Sequence, residues 1–198
     1  VKCIHTIHIH RPIRTAVAVF ALTAVPVGAV AVPAQAAPTA SAAVATGCPR
    51  GWGSLPEAST FQGSGQLTNV RTGRHTCFDR IVFDVSGKPS WFRVHYVKEI
   101  GTIGEGKPIP MRGGAKLEIV LLATSYDDDG HSTYNPANYH ELTNVRGYRT
   151  FRQVVDAGSF EGVTAIGVGV RARLPFRVFT ITGTGNTSRI VVDVAHRW

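Results

Sequence analysis

Phe176-Arg177-Val178-Phe179-Thr180-Ile181-Thr182, then Gly183-Thr184-Gly185-Asn186-Thr187-Ser188, then Arg189-Ile190-Val191-Val192-Asp193-Val194: the reading of this stretch decides the fold. Two runs rich in β-branched and aromatic residues flank a loop of Gly, Asn, Thr and Ser, the pattern of a β-hairpin. Side chains alternate across a strand, so Ile190, Val192 and Val194 share one face and Arg189, Val191 and Asp193 the other. A slip of one residue would drive Arg and Asp into the core, which fixes the register.

The same phrase occurs earlier as Arg80-Ile81-Val82-Phe83-Asp84-Val85, which predicts two related strands in one β-domain. Around it, Gln66 to Arg71 reads as a first short strand and Thr72-Gly73-Arg74-His75 as a turn. Cys77 to Val85 reads as a long strand with Ile81, Phe83 and Val85 inward. Ser86-Gly87-Lys88-Pro89 is a turn signal, and Trp91 to Val97 is expected to return beside the long strand as a hairpin. Residues 99–115 are punctuated by Gly and Pro and predict a loop. Lys116 to Leu122 is a nearly continuous apolar strand, and Tyr126 to Asn138 a polar excursion. Glu141 to Arg146 is expected to be a short strand. Tyr148 to Gly158 fits either a helical turn or a strand, and Phe160-Glu161-Gly162 a bend or bulge. Thr164 to Arg173 alternates, with Ile166, Val168, Val170 and Ala172 inward and Ala165, Gly167, Gly169, Arg171 and Arg173 outward. Many short strands without a long amphipathic helix predict an all-β domain, an antiparallel two-sheet β-sandwich, with a β-barrel as the alternative.

The chain's 198 residues are 43% hydrophobic and 17% charged, which supports a packed core and excludes wholesale disorder. Residues 1–36 read as a secretory signal: Lys2, Arg11 and Arg14 form a basic start, an apolar run follows, and Ala34-Gln35-Ala36 is a cleavage motif. The apolar run approaches the roughly 18 residues that span a bilayer, but Pro26, Gly28 and the cleavage motif favour a leader over an anchor. Residues 37–47, rich in Ala, Pro, Thr and Ser, read as a flexible linker, and 48–198 as the folded domain. Three of the 21 basic residues belong to the leader, so the net charge falls from +8 to +5 beyond it. That surplus suits an anionic partner and equally suits solubility.

Cys3 falls in the leader, and Cys48 and Cys77 remain as an even pair in an exported chain, which predicts one disulfide. It would close a loop of about 30 residues and contribute about 3 kcal/mol. The rival reading, a lipid-modified Cys48, has the wrong spacing from the apolar run. Trp52 is expected to pack beside the bridge.

Arg80 to Val85, the segment Gly162 to Val170 and the closing hairpin resemble the AMIN and AMIN-like domains of bacterial envelope proteins. The span from Cys48 to Trp198 is similar to small secreted actinobacterial proteins with one AMIN-like domain. The matching phrases include Asn69 to Arg80, Tyr148 to Val154 and Val170 to Val178. The resemblance implies a two-sheet sandwich, and for AMIN domains proper a non-catalytic module that holds its owner on peptidoglycan.

No Gly-x-Ser-x-Gly elbow, His-Glu-x-x-His or free Cys–His pair marks an enzyme. Asp79, Asp84, Glu118 and Glu161 would serve a glycosidase only if two came within about 10 Å. Outward Asp beside outward Arg reads more simply as cross-strand ion pairing. Asp127-Asp128-Asp129-Gly130 lacks the alternating spacing and distal Glu of a calcium loop and reads as an exposed turn. The histidines have no metal-site spacing. No metal or cofactor is expected.

The binding candidate is the outward side of the late strands. Gly167 and Gly169 would leave a flat strip, with Arg171 and Arg173 on it and Arg149, Arg152 and Tyr148 at its border. Arginine forks grip carboxylates and phosphates, and aromatic faces carry sugar rings. These residues predict a secreted, wall-associated module that binds peptidoglycan or another anionic glycan. An envelope protein recruited through a sheet edge is the alternative, and a small hydrolase a more distant one. Export removes nucleic acid as a partner, and no stacking platform for bases is visible.

Overall fold

A computed structural model of the chain describes residues 47–60 and 62–198. The leader and all but the last residue of the linker lie outside the described residues. Ten strands follow one another: β1 (Glu57–Ala58), β2 (Gly65–Arg74), β3 (Phe78–Ser86), β4 (Phe92–Val97), β5 (Ala115–Leu121), β6 (Ala123–Thr124), β7 (Phe151–Phe160), β8 (Val163–Val170), β9 (Phe176–Thr182) and β10 (Thr187–Ala195). They form two five-stranded sheets, ordered β1-β4-β5-β8-β7 and β6-β2-β3-β10-β9. All pairs are antiparallel except β2 with β6.

The opening hairpin is β9–β10, with Arg189 opposite Ile181 and Val192 opposite Val178. The two echoed phrases are next-door neighbours. β3 and β10 run antiparallel with Arg80 opposite Asp193, Ile81 opposite Val192, Phe83 opposite Ile190 and Asp84 opposite Arg189. An Arg-Ile-Val-x-Asp repeat laid antiparallel on itself brings each arginine to the other copy's aspartate. The inward sets Ile81, Phe83, Val85 and Ile190, Val192, Val194 are fully buried against Val94, Leu117, Ile119, Ile166 and Val168 of the facing sheet.

Three local expectations are corrected, and one open reading is decided. β3 and β4 are not a hairpin: β2 and β10 occupy both edges of β3, so the chain crosses to the other sheet over Gly87–Ser90. There the Trp91 N–H donates to the Gly63 carbonyl, and a Cβ on Gly63 would stand 2.3 Å from the Pro89 oxygen. β2 runs on through Thr72, Gly73 and Arg74, and the chain turns only after His75. Glu141 to Arg146 is a run of turns and bends, not a strand; Asn144 Oδ1 accepts the Arg146 N–H and Leu142 N donates to Val154 O. The ambiguous stretch after Tyr148 is strand β7, its apolar pattern broken by two bulges that a helix would also have mimicked.

A second, smaller core lies outside the sandwich. Ile100 and Ile109 from the loop between β4 and β5 pack on Val155, Ala157 and Ala165 of β7 and β8. The loop therefore forms a third layer over that sheet.

Candidate functional site

The ends of β2, β8 and β10 and the starts of β3, β7 and β9 meet at one end of the sandwich, beside the Cys48–Cys77 disulfide (Cα–Cα 5.3 Å). Buried Asp79 organises this end. Its Oδ2 accepts the backbone N–H groups of Thr150 and Phe151, and its Oδ1 lies 3.1 Å from His196 Nε2. The carboxylate thus ties β3 to the start of β7 and to the segment after β10. That fixes the backbone directly after Arg149, and the Arg171 N–H donates to Thr150 O.

Exposed arginines ring this end. Arg149 donates to the Thr76 carbonyl, Arg171 to the His196 carbonyl, and Arg173 to Ser54 while lying 5.0 Å over the Tyr96 ring. Arg152 donates to the carbonyls of Tyr148, Arg149 and Phe151. Beside them a cleft of about 830 Å³ opens over the disulfide, lined by Arg50, Trp52, Pro175, Arg197 and Trp198, with no acidic side chain among the described residues of its walls. Trp198 is 74% exposed and its indole N–H donates to Arg173 O. Tyr148 and Arg152 face a second groove of about 470 Å³ with Arg112 and Arg146.

The flat strip expected at Gly167 and Gly169 does not exist as an open surface; both glycines are buried. A Cβ on Gly167 would meet Ile100 and Val155 at 2.9 Å, and one on Gly169 would meet the Arg112 carbonyl at 1.9 Å. Their missing side chains admit the protein's own loop. Its Gly and Pro content is legible in the sequence; its apolar Ile100, Ile109 and Met111 were the sign that it packs back.

The outward face of the other sheet holds the cross-strand ion pairs expected of outward Asp beside outward Arg. Arg80 reaches Asp193 through Nε (2.6 Å) and Nη2 (2.9 Å), and Arg177 joins the same carboxylate at 2.8 Å. Asp193 is fully buried beneath them. Two rows away Asp84 is shared by Arg71 (2.8 Å) and Arg189 (3.2 Å), and the Arg71 guanidinium holds the Asp84 carboxyl below the usual carboxylate range. Trp52, Phe78 and Phe179 stack with this group: the Arg177 guanidinium lies 4.6 Å over Trp52 and the Arg80 guanidinium 5.2 Å over Phe78.

The carboxylates weighed as a hydrolytic pair are dispersed. Asp79 and Asp84 point to opposite faces of β3, Glu118 pairs with His95 on the other sheet, and Glu161 sits in the β7–β8 turn. Asp127, Asp129 and His131 bring ligand atoms within 4.8 Å of one another. Asp127 Oδ1 already accepts the N–H groups of Asp129 and His131, so this carboxylate closes the turn.

Two stacked five-stranded sheets, with arginine and aromatic side chains on their surfaces, define an all-β sandwich domain. The chain belongs to the AMIN-like domain family, whose model matches residues 65–196. No curated protein matches it.

Proposed function

We propose that this protein is a non-catalytic binding module of the bacterial cell envelope and that its disulfide end grips an anionic wall polymer, peptidoglycan first. The observation that carries the reading is the cleft over the disulfide, where Arg50 and Arg197 stand with Trp52 and Trp198, with Arg171 and Arg173 alongside and no acidic side chain among the described residues of the lining. Guanidinium forks bind carboxylates and phosphates, and an exposed indole such as Trp198 carries a sugar ring. Family membership and a disulfide, which persists in oxidising compartments, support an extracellular envelope location. On this reading residues 1–36 are the export leader and 37–47 the tether.

Co-sedimentation with purified cell walls tests it. The wild-type chain is expected in the pellet at low salt and in the supernatant at high salt, since screening weakens exposed charge pairs. The Arg149→Ala, Arg171→Ala, Arg173→Ala triple variant is expected to bind about tenfold more weakly or worse while melting as wild type does. Equal retention of wild type and variant would discard this end of the molecule as the site.

A second reading has its own observation. β9 is an edge strand whose first half is closed by Gly53 and Glu57, while Ile181 in its second half is 39% exposed. That half-open edge suits strand addition by an envelope protein.

A further inference from the structure

We propose that the outward face of the β2-β3-β10-β9 sheet carries a separate pocket for a terminal carboxylate on a small apolar stem. The registers lay this face out as a grid. The middle row is Arg71, Val82, Val191 and Phe179. One flanking row is Asn69, Asp84, Arg189 and Ile181, and the other Gly73, Arg80, Asp193 and Arg177. Val82 and Val191, directly opposite each other, floor a pocket of about 320 Å³. Arg71, Arg80, Arg189 and His75 wall it, and Ile181 adds an apolar side. Gly73 contributes no side chain, which keeps the wall between Arg80 and His75 low; a Cβ there would stand 3.7 Å from His75 Nε2.

Ion pairing alone accounts for half of this charge. Four guanidiniums face two carboxylates, so the face keeps a surplus of two positive charges. Among the described residues their bonds to Asp84 and Asp193 run through Nε and Nη2, which leaves the Nη1 groups as donors. The donors are held in place before any ligand arrives. Arg80 is fixed by a two-point bond to Asp193 and lies between the rings of Phe78 and Phe179. Arg71 is fixed by a two-point bond to Asp84. A planar guanidinium edge matches a carboxylate, and the part-exposed Ile181 side chain, above a floor of buried Val82 and Val191, favours a methyl-sized stem over a bare, strongly hydrated ion. The chemistry named is a peptide terminus ending in a small residue. It is independent of polymer binding at the disulfide end.

The test is a titration of the full domain followed by methyl and backbone NMR. Five probes are used: acetyl-D-alanyl-D-alanine, acetyl-L-alanyl-L-alanine, the amide of each, and inorganic phosphate. Saturable shifts are expected at Val82, Val191 and Ile181 with a free acid. The amides and phosphate should bind at least about tenfold more weakly, because the charged hydrogen bonds or the apolar contact are lost. A preference for the D form assigns a wall-type stem peptide as the source, and a preference for the L form a protein C-terminus. Arg189→Gln, which leaves Asp84 paired with Arg71, should weaken the acid about tenfold without a change in melting temperature. Equal binding of acid and amide, equal binding of phosphate, or no saturable shift at these methyls would overturn the proposal. Because wall retention is read on variants of Arg149, Arg171 and Arg173, either result can fail without the other.

Discussion

Asp193 and Asp84 occupy matching places in the repeated phrase and meet different fates. Asp193 is fully buried under Arg80 and Arg177, whereas Asp84 keeps about a quarter of its side chain in water beside half-exposed Arg71 and Arg189. Asp193→Ala leaves two guanidiniums over apolar surface without a counter-charge and should cost about 3 kcal/mol or more in urea unfolding. Asp84→Ala should cost about 1 kcal/mol or less, since its partners recover hydration. Asp84 also sets an acid limb. Its folded pKa is depressed, chiefly by Arg71. Its contribution is therefore complete above the ordinary carboxylate range and is lost as pH falls through the depressed value. Asp84→Asn should be less stable than wild type at neutral pH, and the gap should close in acid; an unchanged gap at low pH would contradict the pairing. The alternation in the sequence shows which side these residues take. It does not show that the two phrases are adjacent, which makes the pairs cross from one copy to the other.

At the scale of the element, β8 shows where pattern reading stops. Alternation correctly puts Ile166, Val168 and Val170 in the sandwich and Gly167 and Gly169 on the far side. It cannot show that the loop of residues 99–114 folds back over that far side, because the covering contacts come from fifty or more residues away. Gly169→Ala places a methyl against the Arg112 carbonyl and must lift the loop. The expected result is a loss of about 1–3 kcal/mol, with hydrogen exchange rising at Ile100 and Ile109 before the rest of the domain. Unchanged exchange there would mean the loop does not depend on the bare backbone. The expected hairpin of β3 with β4 failed for a related reason. A turn signal reports a reversal of direction and says nothing about which sheet receives the next strand. The disulfide was legible as a pair, and its reduction should cost about 3 kcal/mol by freeing the unfolded chain.

At the scale of the molecule, the two ends of the sandwich differ in charge. The disulfide end carries exposed Arg50, Arg149, Arg171, Arg173 and Arg197, while the opposite end presents Asp128, Asp129 and Glu161. The two-layer architecture follows from composition and period, and the arginines at the ends of the late strands were visible as candidates. Their gathering with Arg50, Trp52, Arg197 and Trp198 was not, because it needs both termini of the domain to meet over the disulfide. The most direct test is NMR mapping with a soluble anionic wall fragment. The account predicts salt-sensitive shifts of the Trp52 and Trp198 indole N–H signals together with the backbone at Arg171 and Arg173. Shifts confined to the end bearing Asp128 and Glu161, or none at any fragment concentration, would contradict it.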